Sequence, residues 1–151
     1  MRLLILSDLH REVWYRGTRY FGMEDHFPAI SPATSRPDVV VLAGDIDTGT
    51  RGIEWASETF PDLPVIYVSG NHEGYGHNLD EVRNAIAAAA AATGRVHYLD
   101  GQEKIIDGVR FLGATLWTDF RLHGRDNAEH RKKTALRMIN DYQVVRIGRA
   151  G

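Results

Sequence analysis

Residues 39–47 read "VVVLAGDID", a five-residue apolar run that empties into Gly-Asp-Ile-Asp. An alternating pattern would signal a half-exposed strand. This run does not alternate, which predicts a strand covered on both faces, as in an α/β sheet. Two further runs share the form: "LLIL" at Leu3–Leu6 and "VIYV" at Val65–Val68. Pro37 and Pro64 stand just before two of the three, where a missing amide is tolerated.

The segments between these runs carry helical spacing. "TRGIEWASETF" (50–60) places Ile53, Ala56 and Phe60 on one stripe. "NLDEVRNAIAAAAAATG" (78–94) predicts a helix opened by an Asn78 cap, with Glu81 three residues on, and stopped by Gly94. Its alanine run is low in complexity, but alanine is the strongest helix former. Strand–helix–strand–helix order implies parallel pairing through right-handed crossovers.

Beyond residue 95 the pattern changes. "VHYLDGQEKIIDGVRFLGATL" (96–116) offers short β runs, with Asp107-Gly108 as a two-residue hairpin turn. "AEHRKKTALRMINDY" (128–142) reads as one helix with Ala135, Leu136, Ile139 and Tyr142 as its apolar stripe. Its basic triplet Arg131, Lys132 and Lys133 reads as a solvated face. No internal repeat or domain linker stands out, and 151 residues suit a single domain over 1–151.

Composition bounds the chemistry. Apolar residues make up 43% and charged residues 25%, enough to build a core. Net charge is −2, so there is no global pull toward nucleic acid or anionic lipid. There is no cysteine, so disulfides and thiolate metal sites are ruled out, and any metal must rely on oxygen and imidazole ligands. The N-terminus turns polar too early for a signal peptide, and no run reaches transmembrane length. The expectation is a cytoplasmic protein with no membrane association.

Each of the three apolar runs ends in a polar cluster: "SDLH" (7–10), "AGDID" (43–47) and "SGNHE" (69–73). In a parallel sheet the loops past the carboxyl ends of the strands converge on a crevice. Asp8, His10, Asp45, Asn71 and His72 are therefore expected to meet in space. Taken singly, Asp8 and Asn71 suit turns or caps, and His10 suits a surface position. Only their joint, ordered occurrence points to a metal centre.

"DLH", "GDID" and "GNHE", in this order and each after a strand, resemble the first three signatures of the calcineurin-like metallophosphoesterases. The resemblance implies an αββα sandwich and a centre of two divalent metal ions (manganese, iron, zinc or magnesium) at one sheet edge. It implies that Asp8 and His10 bind the first ion, that Asp45 bridges, and that Asn71 binds the second. His72 is implied as a catalytic residue, contacting the scissile phosphate or leaving oxygen rather than a metal. The activity implied is hydrolysis of a phosphate mono- or diester, nucleotides included, by a bridging hydroxide. The alternative is a phosphoesterase-like binding or scaffold module that does not catalyse.

The family pattern continues with a further metal-binding His and a G-H-x-H motif. The remaining histidines (His26, His77, His97, His123 and His130) do not supply it, and "GHNL" at 76–79 has Leu79 where the last His belongs. The expectation is an incomplete αββα sandwich with its second sheet truncated. Such an edge invites a homo-oligomer or a partner segment that completes it. Asp47 reads as a cap or a support for a ligand. Glu73 is open between orienting a neighbour and solvent exposure. "REVWYRGTRYF" (11–21) is open between gripping phosphate through Arg11, Arg16 or Arg19, with Trp14 or Tyr20 stacking a base, and packing as a surface flap. Tyr75 and His77 are expected near the mouth.

Overall fold

The computed structural model describes residues 1–15, 27, 30, 32, 34–122, 124 and 126–148. Four strands, β1 (Leu3–Leu6), β2 (Val39–Ala43), β3 (Val65–Val68) and β4 (Val96–Tyr98), form a parallel sheet in the order β1-β2-β3-β4. The register pairs Leu3 with Val39, Val40 with Val65, and Val65 with Val96. Helices α1 (Arg11–Tyr15), α2 (Arg51–Thr59) and α3 (Leu79–Thr93) follow the first three strands.

The pleat of the strands divides the core into two. Val40, Leu42, Val65 and Tyr67 face one side and pack with Ile53, Ala56, Phe60, Val82, Ile86 and Ala90 of the α2 and α3 region. Val39 and Ile66 face the other side, where Leu99, Val41, Val68, Ile106 and Phe111 join them. Full burial of side chains such as Leu42, Ile53 and Ile86 stabilises the sheet–helix layer by about 1.5–3 kcal/mol each.

Helix α3 forms as its sequence specifies. The Asn78 side chain accepts from the N–H groups of Asp80 and Glu81, satisfying two orphan donors, and Gly94 closes the helix at φ 71°. The second sheet is a hairpin of β5 (Gln102–Ile106) and β6 (Val109–Gly113). Its turn places Asp107 at φ 47° and Gly108 at φ 77°, both in the left-handed region that a two-residue turn of this type requires. Gly113 lies against the first sheet: a Cβ there would sit 2.6 Å from Leu99 Cβ and 2.8 Å from Val68 Cγ2. This hairpin on the main sheet is the start of a sandwich.

Two expectations are revised. The segment 128–142 is not one helix: α4 (Ala128–Met138) stops at an extended Ile139, and a separate short α5 (Asp141–Val144) follows Asn140. Of the expected stripe only Ala135 is buried, whereas Leu136, Ile139 and Tyr142 are exposed at 51%, 42% and 39%. β1 also departs from the both-faces reading. Leu4 and Leu6 pack into the helix-side core, but Leu3 and Ile5 stay 42% and 62% exposed because the small hairpin does not reach that edge.

Among the described residues no helix is long and apolar enough to cross a membrane.

Candidate metal centre

The loops after β1, β2 and β3 lock together through their backbones. Asp8 N–H donates to Gly44 O at 3.0 Å, His10 N–H to Asp45 O at 2.9 Å, and Arg11 N–H to Ile46 O at 3.0 Å. Asp8, His10 and Asp45 all take positive φ, at 54°, 45° and 55°. Non-glycine residues held there cost of order 1–3 kcal/mol each and persist only where surrounding contacts impose them. Here the cross-loop bonds impose them, on the residues that carry the candidate ligands.

One ligand atom from each of Asp8, His10 and Asp45 lies within 4.8 Å of the others. Asp8 is exposed, whereas His10 and Asp45 are half-buried. Asp45 Oδ1 also accepts the backbone N–H of His72 at 2.8 Å, tying the second loop to the third. Gly70 makes this approach feasible, because a Cβ there would run into Asp45 Oδ1.

Asn71 stands apart from that triplet in its contacts. Its Nδ2 donates to Asp141 Oδ1 at 2.8 Å and to the Tyr75 hydroxyl at 3.2 Å, and the Tyr75 hydroxyl donates to Asp141 Oδ1 at 2.6 Å. Burial, then the carboxylate of Asp141, raises the Tyr75 pKa, keeping the phenol a donor. With Nδ2 so engaged, the carbonyl Oδ1 is the Asn71 atom left to coordinate. His72 stacks on Tyr75, ring centroids 4.0 Å apart and planes 23° apart. It lines a cleft of about 610 Å3 together with Glu12, Thr48, Tyr75 and Arg146.

Glu73 is settled as buried, at 1% exposure. Its Oε2 accepts N–H groups from Gly70 at 2.8 Å and Asp45 at 3.2 Å. Its Oε1 accepts from Ile46 N–H at 3.1 Å and from the Tyr67 hydroxyl at 2.9 Å. One carboxylate thus fastens the second and third loops to the strand beneath. Burial outweighs these donors and raises the Glu73 pKa, while burial followed by the Glu73 charge raises that of Tyr67.

Asp47, fully buried, accepts from Arg11 Nη1 at 3.3 Å and Arg51 Nε at 2.8 Å, and it caps the Thr48 N–H at 2.8 Å. The Arg11 guanidinium lies over the rings of Trp55 and Phe27, at 4.9 and 5.4 Å, and its side chain is 11% exposed. It is a structural cation rather than a phosphate grip. Trp14 packs edge-on against Phe27 at 5.7 Å. Arg16, Arg19 and Tyr20 lie outside the described residues. His77 is exposed, and its backbone carbonyl accepts from Arg146 N–H.

Two residues of this neighbourhood escaped the sequence reading. Glu12, 7% exposed, places Oε1 2.7 Å from His72 Nδ1 and 3.4 Å from His10 Nδ1. Asp141, seventy positions after Asn71, reaches it from α5. The only local hint was the i+2 spacing of Glu12 from His10; nothing local marked Asp141.

A model of the calcineurin-like phosphoesterases matches residues 1–146. The chain belongs to that family. Among solved structures, the fold resembles a phosphopantetheinyl hydrolase from Mycobacterium tuberculosis with a TM-score of 0.60 and 17% sequence identity. The alignment covers 95% of this chain and 54% of that one, so the chain spans about half the length of its structural relative. At that identity the likeness speaks for the fold alone. No significant match is found among curated proteins.

Proposed function

We propose that this chain carries the first-metal and phosphate-facing part of a metal-dependent phosphoester hydrolase, acting on a phosphate mono- or diester, nucleotides included. The observation that carries the reading is the convergence of Asp8, His10 and Asp45 within 4.8 Å, with the backbone of His72 anchored to the same Asp45 carboxylate.

The donor set fits a hard or borderline divalent cation: two carboxylates and an imidazole, no sulfur, on loops strained into place. Asp8 and His10 would hold a first ion. Asp45 would serve both that ion and a second, which Asn71 would hold through Oδ1. Divalent cations there supply Lewis acidity, lowering the pKa of a water toward neutrality and offsetting phosphoryl charge. His72 is the phosphate-facing group. With Nδ1 turned to Glu12, its Nε2 is the atom left to hydrogen-bond the leaving oxygen or pass it a proton. Tyr75 stacked on one face keeps the ring from swinging away.

The test separates binding from turnover. Calorimetric titration with manganese is expected to show binding that Asp8→Ala and Asp45→Ala each abolish. His72→Ala should keep metal content while lowering hydrolysis of a chromogenic phosphodiester by ~10²–10⁴-fold. Binding indifferent to both aspartate substitutions would sink the reading. Manganese binding without any turnover would favour the scaffold alternative for this chain.

A further inference from the structure

Glu12 is a buried carboxylate that the family reading leaves without a task and that, unlike Asp47 and Glu73, meets the candidate site's imidazoles. It sits on the short helix α1, two residues past His10, and 7% of it is exposed. Its Oε1 meets two imidazoles at once: His72 Nδ1 at 2.7 Å and His10 Nδ1 at 3.4 Å. Those two nitrogens are themselves 3.2 Å apart, and the rings meet edge to face with centroids 4.2 Å apart. Oε2 is buried with no hydrogen-bond partner among the described residues. Burying a carboxylate is costly unless donors compensate it. Here the compensation falls on one oxygen and comes from histidines of two different loops.

His10, Glu12 and His72 lie close enough to hold an ion among themselves. Without one, three protonation patterns join these atoms, and the reading of His10 as a ligand through Nε2 selects one. If His10 Nδ1 accepted a hydrogen bond from His72 Nδ1–H, the His10 proton would sit on Nε2 and neither nitrogen of the His10 ring could coordinate an ion. If His72 Nδ1 were bare, its closest contact would set a lone pair against a carboxylate oxygen at 2.7 Å. With a proton on both Nδ1 atoms, Glu12 Oε1 accepts twice and both Nε2 atoms are left to act. A carboxylate behind a ligating histidine fixes tautomer and ring orientation in this way.

We propose that Glu12 is a positioning residue: one buried carboxylate oxygen holds the Nδ1–H tautomer of both His10 and His72, and so couples the first-metal ligand to the phosphate-facing imidazole. This rests on the reading of His10 as a ligand and His72 as phosphate-facing. The two rings then respond together. Withdrawing the carboxylate loosens both, weakening the cation and misdirecting His72 in one step. Tyr75 fixes the plane of the His72 ring, and Glu12 fixes its rotation within that plane.

The test reads tautomers directly. Long-range nitrogen–proton spectra of the apo chain, recorded at about pH 8.5, well above the ordinary histidine pKa of ~6.5, are expected to show the proton on Nδ1 in both His10 and His72. Glu12→Leu should release both rings toward Nε2–H and lower manganese affinity by about 10–100-fold, with Glu12→Gln intermediate because its amide oxygen can still accept. A bare Nδ1 on wild-type His72 would overturn the proposal, and this measurement needs no variant to fold. A manganese affinity in Glu12→Leu within about twofold of wild type would overturn it as well. Nδ1–H on both rings in a wild-type chain that binds no manganese would remove the metallophosphoesterase reading yet leave the pairing standing, so the two failures are distinguishable.

Discussion

The Tyr67 hydroxyl and the Glu73 carboxylate meet at 2.9 Å in the buried floor of the site, and the other donors to that carboxylate come from the loops that carry Asp45 and Asn71. The strand β3 therefore grips its own outgoing loop and its neighbour through one side chain. A glutamine could keep the two donors at one oxygen, but its amide would face the other two N–H groups with N–H of its own. Glu73→Gln should lower unfolding stability by about 2–4 kcal/mol, and Tyr67→Phe, which removes a single donor, by only about 1 kcal/mol. Urea denaturation of both variants checks the order. Equal losses would mean that the carboxylate is not the fastening point.

Gly70 tests the same junction from the metal side. A Cβ at Gly70 would lie 2.7 Å from Asp45 Cγ and 2.8 Å from the Asp45 backbone N, so the Asp45 carboxylate must move to admit it. Gly70→Ala should displace the Asp45 carboxylate from the His72 N–H and weaken manganese binding by more than about tenfold. Gly76 is the control: at φ 79° it carries strain in any L-residue, but nothing lies within 4 Å of a Cβ there. Gly76→Ala should cost roughly 1 kcal/mol of stability and leave the calorimetric affinity alone.

How much of this was legible in the sequence follows the range of each interaction. The cap at Asn78, the stop at Gly94 and the turn at Asp107-Gly108 involve neighbours a few positions apart, and they were readable. β2 and β3 were readable because residues covered on both faces leave an unbroken apolar signature, and β1 was found by the same signature although one of its faces is exposed. Glu73 was not: its four donors come from positions 45, 46, 67 and 70, and whether a carboxylate after a strand is buried depends on that assembly. Glu12 and Asp141 were hidden for the same reason, their partners lying sixty and seventy residues away. The apolar spacing of residues 128–142 misled because periodicity says nothing about a break. Ile139 turns extended there, and that break places Asp141 against Asn71.

His97 on β4 offers a pH signal outside the candidate site. Burial, and then the nearby Lys104 charge, lowers its pKa below 6.5. The folded protein then binds fewer protons at this ring than the unfolded chain does between the lowered value and 6.5. The linked stability is present above pH 6.5 and is lost as pH falls through that window. A proton NMR titration should place the His97 midpoint below 6.5. The urea midpoint of wild type should fall more than that of His97→Gln between about pH 7 and pH 5. A midpoint at or above 6.5 would refute the assignment of this dependence to His97.

The uncovered side of the sandwich predicts self-association. Among the described residues β1 is an edge strand with Leu3 and Ile5 exposed, and Leu112 of β6 and Leu116 in the chain after it are 70% and 94% exposed. A cleft of about 820 Å3 opens between the β5–β6 hairpin and that segment, lined in part by Leu112, Ala114 and Leu116. An apolar strand edge with unpaired backbone groups is a template for another chain. Light scattering of the 151-residue chain should show a mass that rises with concentration, together with strong binding of a hydrophobic dye. Charge on that face should oppose both effects without touching the core, since Ile5 is 62% exposed. Ile5→Lys is therefore expected to move the chain toward monomer and reduce dye fluorescence, with little change in urea midpoint. A wild-type chain that stays monomeric and dye-free at high concentration would show that this face is not adhesive.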